Sequence, residues 1–337
     1  MSDVTHDSLP LPETSLKKTA FQRAVLGCVL LGTVCIGLVF PFPMKGRLWG
    51  EIFDLAHAPV FFVSLVCLIG FFDPSAVGLP KRLVTLISMT FGRVLAVTVA
   101  LMLIGLVGEF LQRFAGRNPS WADVAANSTG LIAGLLWIAS VAEQGIKRFF
   151  LRLGVVVALV AVSTPSALEA WASIQQIRNF PRLASFERTR ELGSWHRHRS
   201  SIQRSNDWSS DGHYSAKVTL NPADYPGASM VWFEQDWTAF RTLKLDLHNP
   251  AETELHLVIK LYDQQHVANG FEFDDRFHRS VVLEPKSSAN VTIDLVDVQS
   301  APKSRQIHLD RMAAIDIFSI DVQQPTNFFV DHLRLEK

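Results

Sequence analysis

Asp54, His57, Glu109, Gln112, Arg117, Asp123 and Asn127 are the residues of this chain whose types and spacing could do chemistry. Asp54 and His57 are three positions apart, as are Glu109 and Gln112, while Asp123 and Asn127 are four apart, so on helices each pair shares one face. All stand at the ends of strongly apolar runs. In hydrocarbon a polar group must be paired or face water, which makes such a cluster a site hypothesis by default. Glu109 and His57 could act as acid and base, with Asp123 as a third candidate, and Arg117 could pair with Glu109. Ser120 and Ser128 lie in no nucleophile-elbow pattern, and neither the HExxH motif nor a glycine-rich phosphate loop occurs. Catalysis is therefore left unassigned, with interhelical hydrogen bonding as the plain alternative.

The elements that would hold these residues follow from where the apolar residues lie. The chain has 337 residues, 48% of them hydrophobic, and a formal charge of zero, which gives no reason to expect a nucleic-acid partner. Nearly all long apolar runs fall before residue 171. Spans of about 20 residues are needed to cross a bilayer, and five stretches qualify: Phe21 to Phe40, Phe53 to Phe72, Arg93 to Gln112, Trp121 to Val141 and Phe149 to Trp171. The first reads as a retained anchor, since no small-residue cleavage site follows it. Basic residues favour one set of flanks, with Lys17, Lys18, Arg23, Lys81, Arg82, Arg93, Lys147, Arg148 and Arg152 on the side expected to be cytoplasmic. Five spans then place everything after Trp171 outside, periplasmic or extracellular, and bring all three polar pairs to the outer boundary. The Asn127, Gly130 and Gly134 spacing gives the fourth span a small-residue stripe that lets a neighbouring backbone approach. Cys28, Cys35 and Cys67 all lie in the apolar half and cannot staple the rest.

After Asn179-Phe180-Pro181 the texture changes to short alternating segments: 215–220, 230–234, 243–248, 255–263, 281–284, 291–295, 315–322 and 328–335. Leu243, Leu245 and Leu247 would share one face and Lys244, Asp246 and His248 the other. The fold class expected is multidomain: an all-α five-helix transmembrane bundle followed by an all-β sandwich of jelly-roll type. The divisions expected are a tail over 1–20, a membrane domain over 21–171, a linker over 172–182 and the sandwich over 183–337.

Two family resemblances attach to these residues. Asp54 and His57, with Glu109, Gln112, Arg117, Asp123, Asn127, Gly130 and Gly134, resemble the VanZ-like family of small bacterial membrane proteins, whose founding member is associated with resistance to the glycopeptide teicoplanin. That resemblance covers about residues 21–165 and implies a multi-pass protein of the bacterial cytoplasmic membrane. Phe186-Glu187, Trp195, Asp211-Gly212-His213-Tyr214-Ser215, Asp236-Trp237 and Phe329-Val330-Asp331 resemble the galactose-binding-like jelly rolls used as carbohydrate-binding modules. It implies a structural calcium held by Glu187 and Asp331, and no other cofactor is indicated.

Stacking of a sugar needs an aromatic face with polar neighbours. The candidates are Tyr225, Trp237, Phe271 and Phe273, with Asp275 and Arg276 beside them, and Trp232 as a further aromatic. The leading expectation is a cell-envelope membrane protein that binds or shields a glycan or lipid-linked glycan, with membrane lipid as its surroundings. The alternatives are a membrane enzyme acting on a polyprenyl-linked or peptidoglycan precursor, and an anchored protein-interaction scaffold. Oligomeric state is not legible.

Overall fold

The computed structural model describes residues 46–77, 90–112 and 120–337, together with Val25, Gly27 and Val29. It divides into two compact units, one holding Trp49–Leu168 and the other Gly46–Leu48 with Glu169–Lys337.

The first unit is helical. Its elements are α1 (Arg47–Phe72), α2 (Phe91–Gln112), α3 (Trp121–Ala142) and α4 (Gly145–Asn179), except for the start of α1 and the end of α4, which belong to the second unit, together with a 3-10 turn at Pro74–Val77 among the described residues. All four helices are long and apolar enough to cross a membrane. The first expected span, 21–40, lies outside the described residues apart from three positions, so four of the five expected spans are seen. α3 begins where Ser120, in extended conformation, accepts from the Ala122 N–H at 3.1 Å, and Asp123 in its first turn complements the positive helix end. On α2 and α4 large apolar side chains such as Leu103, Val107, Phe110, Val157 and Val160 are exposed, a surface suited to lipid rather than water.

Close packing between α1 and α3 is made by small residues. Gly130 and Gly134 face α1, where a Cβ on Gly130 would collide with the Ala58 carbonyl and come within 3.1 Å of its Cα, and one on Gly134 would press on Leu65. Gly130→Ala is expected to cost about 1–3 kcal/mol by overpacking. Thermal melts of the detergent-solubilised full chain check this, with Gly108→Ala as control because nothing lies within 4 Å of that position. Equal melting of the two variants would refute the close-approach argument.

The second unit is an antiparallel sandwich. One sheet has the order β3 (Ser200–Ser205), β4 (Ser215–Leu220), β11 (Thr326–Glu336), β6 (Thr242–His248), β9 (Ser288–Asp294), with β1 (Arg182–Ala184) also paired to β11. The other runs β2 (Trp195–His198), β5 (Gly227–Met230), β10 (Met312–Phe318), β7 (Leu255–Asp263), β8 (Phe277–Leu283). Short helices α5 (Gln264–Ala268) and α6 (Leu295–Ser300) lie in the connections. Leu243, Leu245 and Leu247 point inward, as their period-two spacing requires, and meet Val218, Val330, Ile259 and Ile317 in one core.

Of the stretch 172–182, expected as a linker, the part through Asn179 is helical: nothing from Ala172 to Arg178 breaks a helix, and the chain turns at Phe180-Pro181, before β1. The sandwich also has β1, β2 and β3, which the alternation of apolar residues did not reveal. β2 and β3 are edge strands, each burying one large apolar side chain, Trp195 or Ile202, among polar and charged neighbours. Edges are kept polar to discourage pairing with other chains, and this erases the periodic signal.

Candidate functional site

In the helical unit Asp54, His57, Glu109, Asp123 and Asn127 lie close to one another. His57 on α1 faces Asn127 on α3, with Nδ1 and Oδ1 in hydrogen-bond contact at 2.9 Å. The same Nδ1 lies 3.9 Å from Glu109 Oε1 on α2. Asp54, His57 and Asp123 each offer one ligand atom within 4.8 Å of the other two. Three helices therefore converge carboxylates and an imidazole on one point, and Glu109, Asp123 and Asn127 are buried there. Such a set can hold a divalent cation or pass a proton between imidazole and carboxylate. Gln112 ends α2, and Arg117 lies outside the described residues.

In the sandwich the loop after β7 is the built feature. Asp263, at the end of β7, caps α5 by accepting from the His266 N–H at 3.0 Å, and it also accepts from the His308 N–H at 2.8 Å. Arg305 forks onto both oxygens of Asp263, at 2.6 and 2.8 Å, and its Nε binds Asp275. Asn269 donates to the other Asp275 oxygen at 2.9 Å. Burial alone would push Asp263 up. The Arg305 hydrogen bonds and the two backbone donors outweigh it and hold this carboxyl below its usual range. Asp275 is held down in the same way, against burial, by Arg305 and Asn269.

This frame fixes the loop's aromatics. Phe271 has φ +65°, a left-handed conformation costly for a bulky residue, and follows Gly270 at φ +77°. It packs edge-on against buried His266 and against Tyr262, with ring centroids 5.4 and 6.0 Å away, yet is 52% exposed. Phe273 is 63% exposed, with the Arg276 guanidinium 4.6 Å over its ring and the His278 ring 5.1 Å away.

The remaining expected glycan contacts fall elsewhere. Trp237 is fully buried, its indole N–H donating to Glu234 O at 2.8 Å and its ring packed on Phe233, so it belongs to the core. Asp275 supports the loop from beneath rather than facing solvent. Tyr225 is exposed but packs edge-on to Phe318 at one end of β10, whereas the loop leaves β7 at Asp263, which pairs with Met312 at the other end. Tyr225 and the Phe271–Phe273 loop therefore form two places, not one. Sequence reasoning missed Trp208, whose ring stacks on His248 at 5.1 Å and 9° beside Phe329. The outward position of His248 on β6 was legible; that Trp208 reaches it from a loop was not.

Glu187 and Asp331 do flank one turn, but as acceptors of backbone donors. Glu187 Oε1 accepts the His213 and Tyr214 N–H groups at 2.7 and 2.9 Å. Asp331 Oδ2 accepts those of Ser210 and Asp211 at 2.8 and 3.1 Å, while Oδ1 accepts that of His332 at 2.7 Å, at a bulge in β11. The partners these two carboxylates show are therefore backbone N–H groups of the 210–214 turn and of His332. Desolvation pushes the Glu187 carboxyl up, but the His213 and Tyr214 N–H bonds with the charges of His213 and Arg204 together outweigh it and hold the carboxyl below its ordinary value, whereas burial of Asp331 dominates and pushes its carboxyl up.

No family model matches the chain, and no curated protein matches it. Among solved structures, an exo-beta-agarase aligns at 15% identity and TM-score 0.37 over 46% of this chain, which spans only 24% of the agarase. A family 11 carbohydrate-binding module from Clostridium thermocellum, in complex with a beta-1,3-1,4-mixed-linked tetrasaccharide, aligns at 15% identity and TM-score 0.36 over 46% of this chain and 94% of its own. A xylan-binding domain of family 22 aligns at 12% identity and TM-score 0.31 over 45% and 90%.

Proposed function

We propose that this is a multi-pass protein of the bacterial cytoplasmic membrane, VanZ-like in its helical half, that binds a cell-envelope glycan on the outer face through its sandwich. The observation that carries the reading is the exposed pair Phe271 and Phe273, presented beside Arg276 on a loop fixed by the buried Asp263–Arg305–Asp275 network. Two apolar ring faces with a guanidinium alongside suit the C–H face of a pyranose and its hydroxyls, and a pre-ordered loop loses little entropy on binding.

The test is glycan-array binding by the full-length detergent-solubilised protein, followed by titration of the best ligand. Phe273→Ala is expected to weaken binding at least tenfold, about 1.4 kcal/mol, without lowering the melting temperature. Blank arrays, or an affinity indifferent to both Phe271→Ala and Phe273→Ala, would dismiss the reading. A second reading, an enzyme acting on a lipid-linked precursor, is favoured by the convergence of Asp54, His57 and Asp123. It requires that His57→Ala abolish envelope function while leaving glycan binding intact.

A further inference from the structure

The second unit contains a cavity that the glycan reading does not use. Arg47, Arg182, Arg188 and Arg190 line it, together with Gln175 and Asn179 from the last turns of α4. Every one of these residues belongs to the second unit. The cavity is built around Arg47. Its guanidinium is nearly buried, donates to Ser194 Oγ at 3.2 Å and to Glu169, and lies so flat on Gly193 that a Cβ there would strike it.

Negative charge does not keep pace. Glu169 is shared between Arg47 and Arg190. Glu191, the one acid in the lining, is occupied by the N–H groups of Ser185, Phe186 and Arg188 at 2.8, 2.8 and 3.2 Å. Arg182 pairs with Asp211 at 3.3 Å, and Arg188 donates to the neutral Gln175 amide at 3.1 Å. Each guanidinium has five N–H donors, so most have no protein acceptor among the described residues.

The depth of the cavity names the anion's source. α4 has 35 residues, about 52 Å at 1.5 Å per residue, against a hydrocarbon core of about 30 Å. Its final turns therefore run beyond the hydrocarbon, where headgroups lie, and Trp171 is exposed just before them as an interfacial residue would be. Arginine forks match phosphate oxygens in pairs. We infer that this arginine cavity binds the phosphate group of a membrane-lipid headgroup, an inference that rests on the membrane reading but not on the glycan site.

Native mass spectrometry of the full-length protein in mild detergent tests it, titrating phosphatidylglycerol, diacylglycerol as its phosphate-free counterpart, and inorganic phosphate. Saturable retention of phosphatidylglycerol and not diacylglycerol is expected, weakened at least tenfold in the Arg188→Gln, Arg190→Gln double variant. Arg178→Gln, on the same helix end but outside the cavity, should bind as the parent does. Both double-variant positions are solvent-exposed in part, so the fold should survive, and unchanged glycan titration verifies it. Equal retention by the double variant overturns the inference. Inorganic phosphate binding as tightly as the lipid assigns the cavity to free phosphate and overturns the lipid source. Carbonate extraction of the chain, run in parallel, separates failure of the membrane reading from failure of the cavity.

Discussion

Replacing Arg305 by methionine should destabilise the sandwich by about 3–5 kcal/mol, because it strands Asp263 and Asp275 as buried carboxylates without their cation. At 2–4 °C per kcal/mol for a unit of this size, the melting temperature should drop by roughly 6–20 °C. The effect should depend on pH with a definite sign. Both carboxyls sit below their ordinary values in the folded protein, so their stabilising contribution is complete above the unfolded value of about 3.9 and is lost as pH falls through the depressed folded values. Thermal melts of the full chain should therefore show the widest gap between parent and variant near neutrality and a narrower one in acid. A gap that stays constant down to pH 3 would mean that charge pairing is not what Arg305 supplies. Glycan affinity should fall too, since the same network orders the Phe271–Phe273 loop.

Trp237→Ala should cost a further-removed part of the same unit about 3–5 kcal/mol by leaving a large cavity in the core. The indole is buried against Phe233 and its N–H has a backbone acceptor, so no part of it reaches solvent. The contrast with Phe273→Ala is the informative measurement. Loss of melting temperature with unchanged affinity per folded molecule is expected for Trp237, and loss of affinity with unchanged melting temperature for Phe273. If Trp237→Ala abolished glycan binding in protein that melts normally, its place in the core would not explain its role.

Much of the fold could be read from composition and period. Long apolar stretches mark spans because hydrocarbon leaves the backbone no other partners, and Leu243, Leu245 and Leu247 mark a strand because alternate side chains share a face. The spacing of Asp54 with His57 and of Asp123 with Asn127 gave each helix its polar face, and the Gly130 stripe gave the close approach to Ala58. These are local rules, in which a few neighbouring residues decide. Edge strands β2 and β3 escaped them because solvent on one side and the polar and basic residues kept at an edge remove the pattern.

What the residue order settled alone was the class of each half: helices long and apolar enough to cross a membrane, then a two-sheet sandwich with its core on alternate positions. Only the tertiary structure decided which aromatics are presented and which are spent. Trp237 and Phe273 could both serve as sugar platforms by residue type, with the loop of Phe273 the better candidate, and the fold shows one enclosed by strands distant in sequence and the other on a loop held by Arg305, some thirty positions away. Likewise, that Glu187 and Asp331 accept from backbone N–H groups of the 210–214 turn is visible only once the chain is folded. Burial and hydrogen-bond partners are properties of residues far apart in the chain, so no short stretch of sequence carries them.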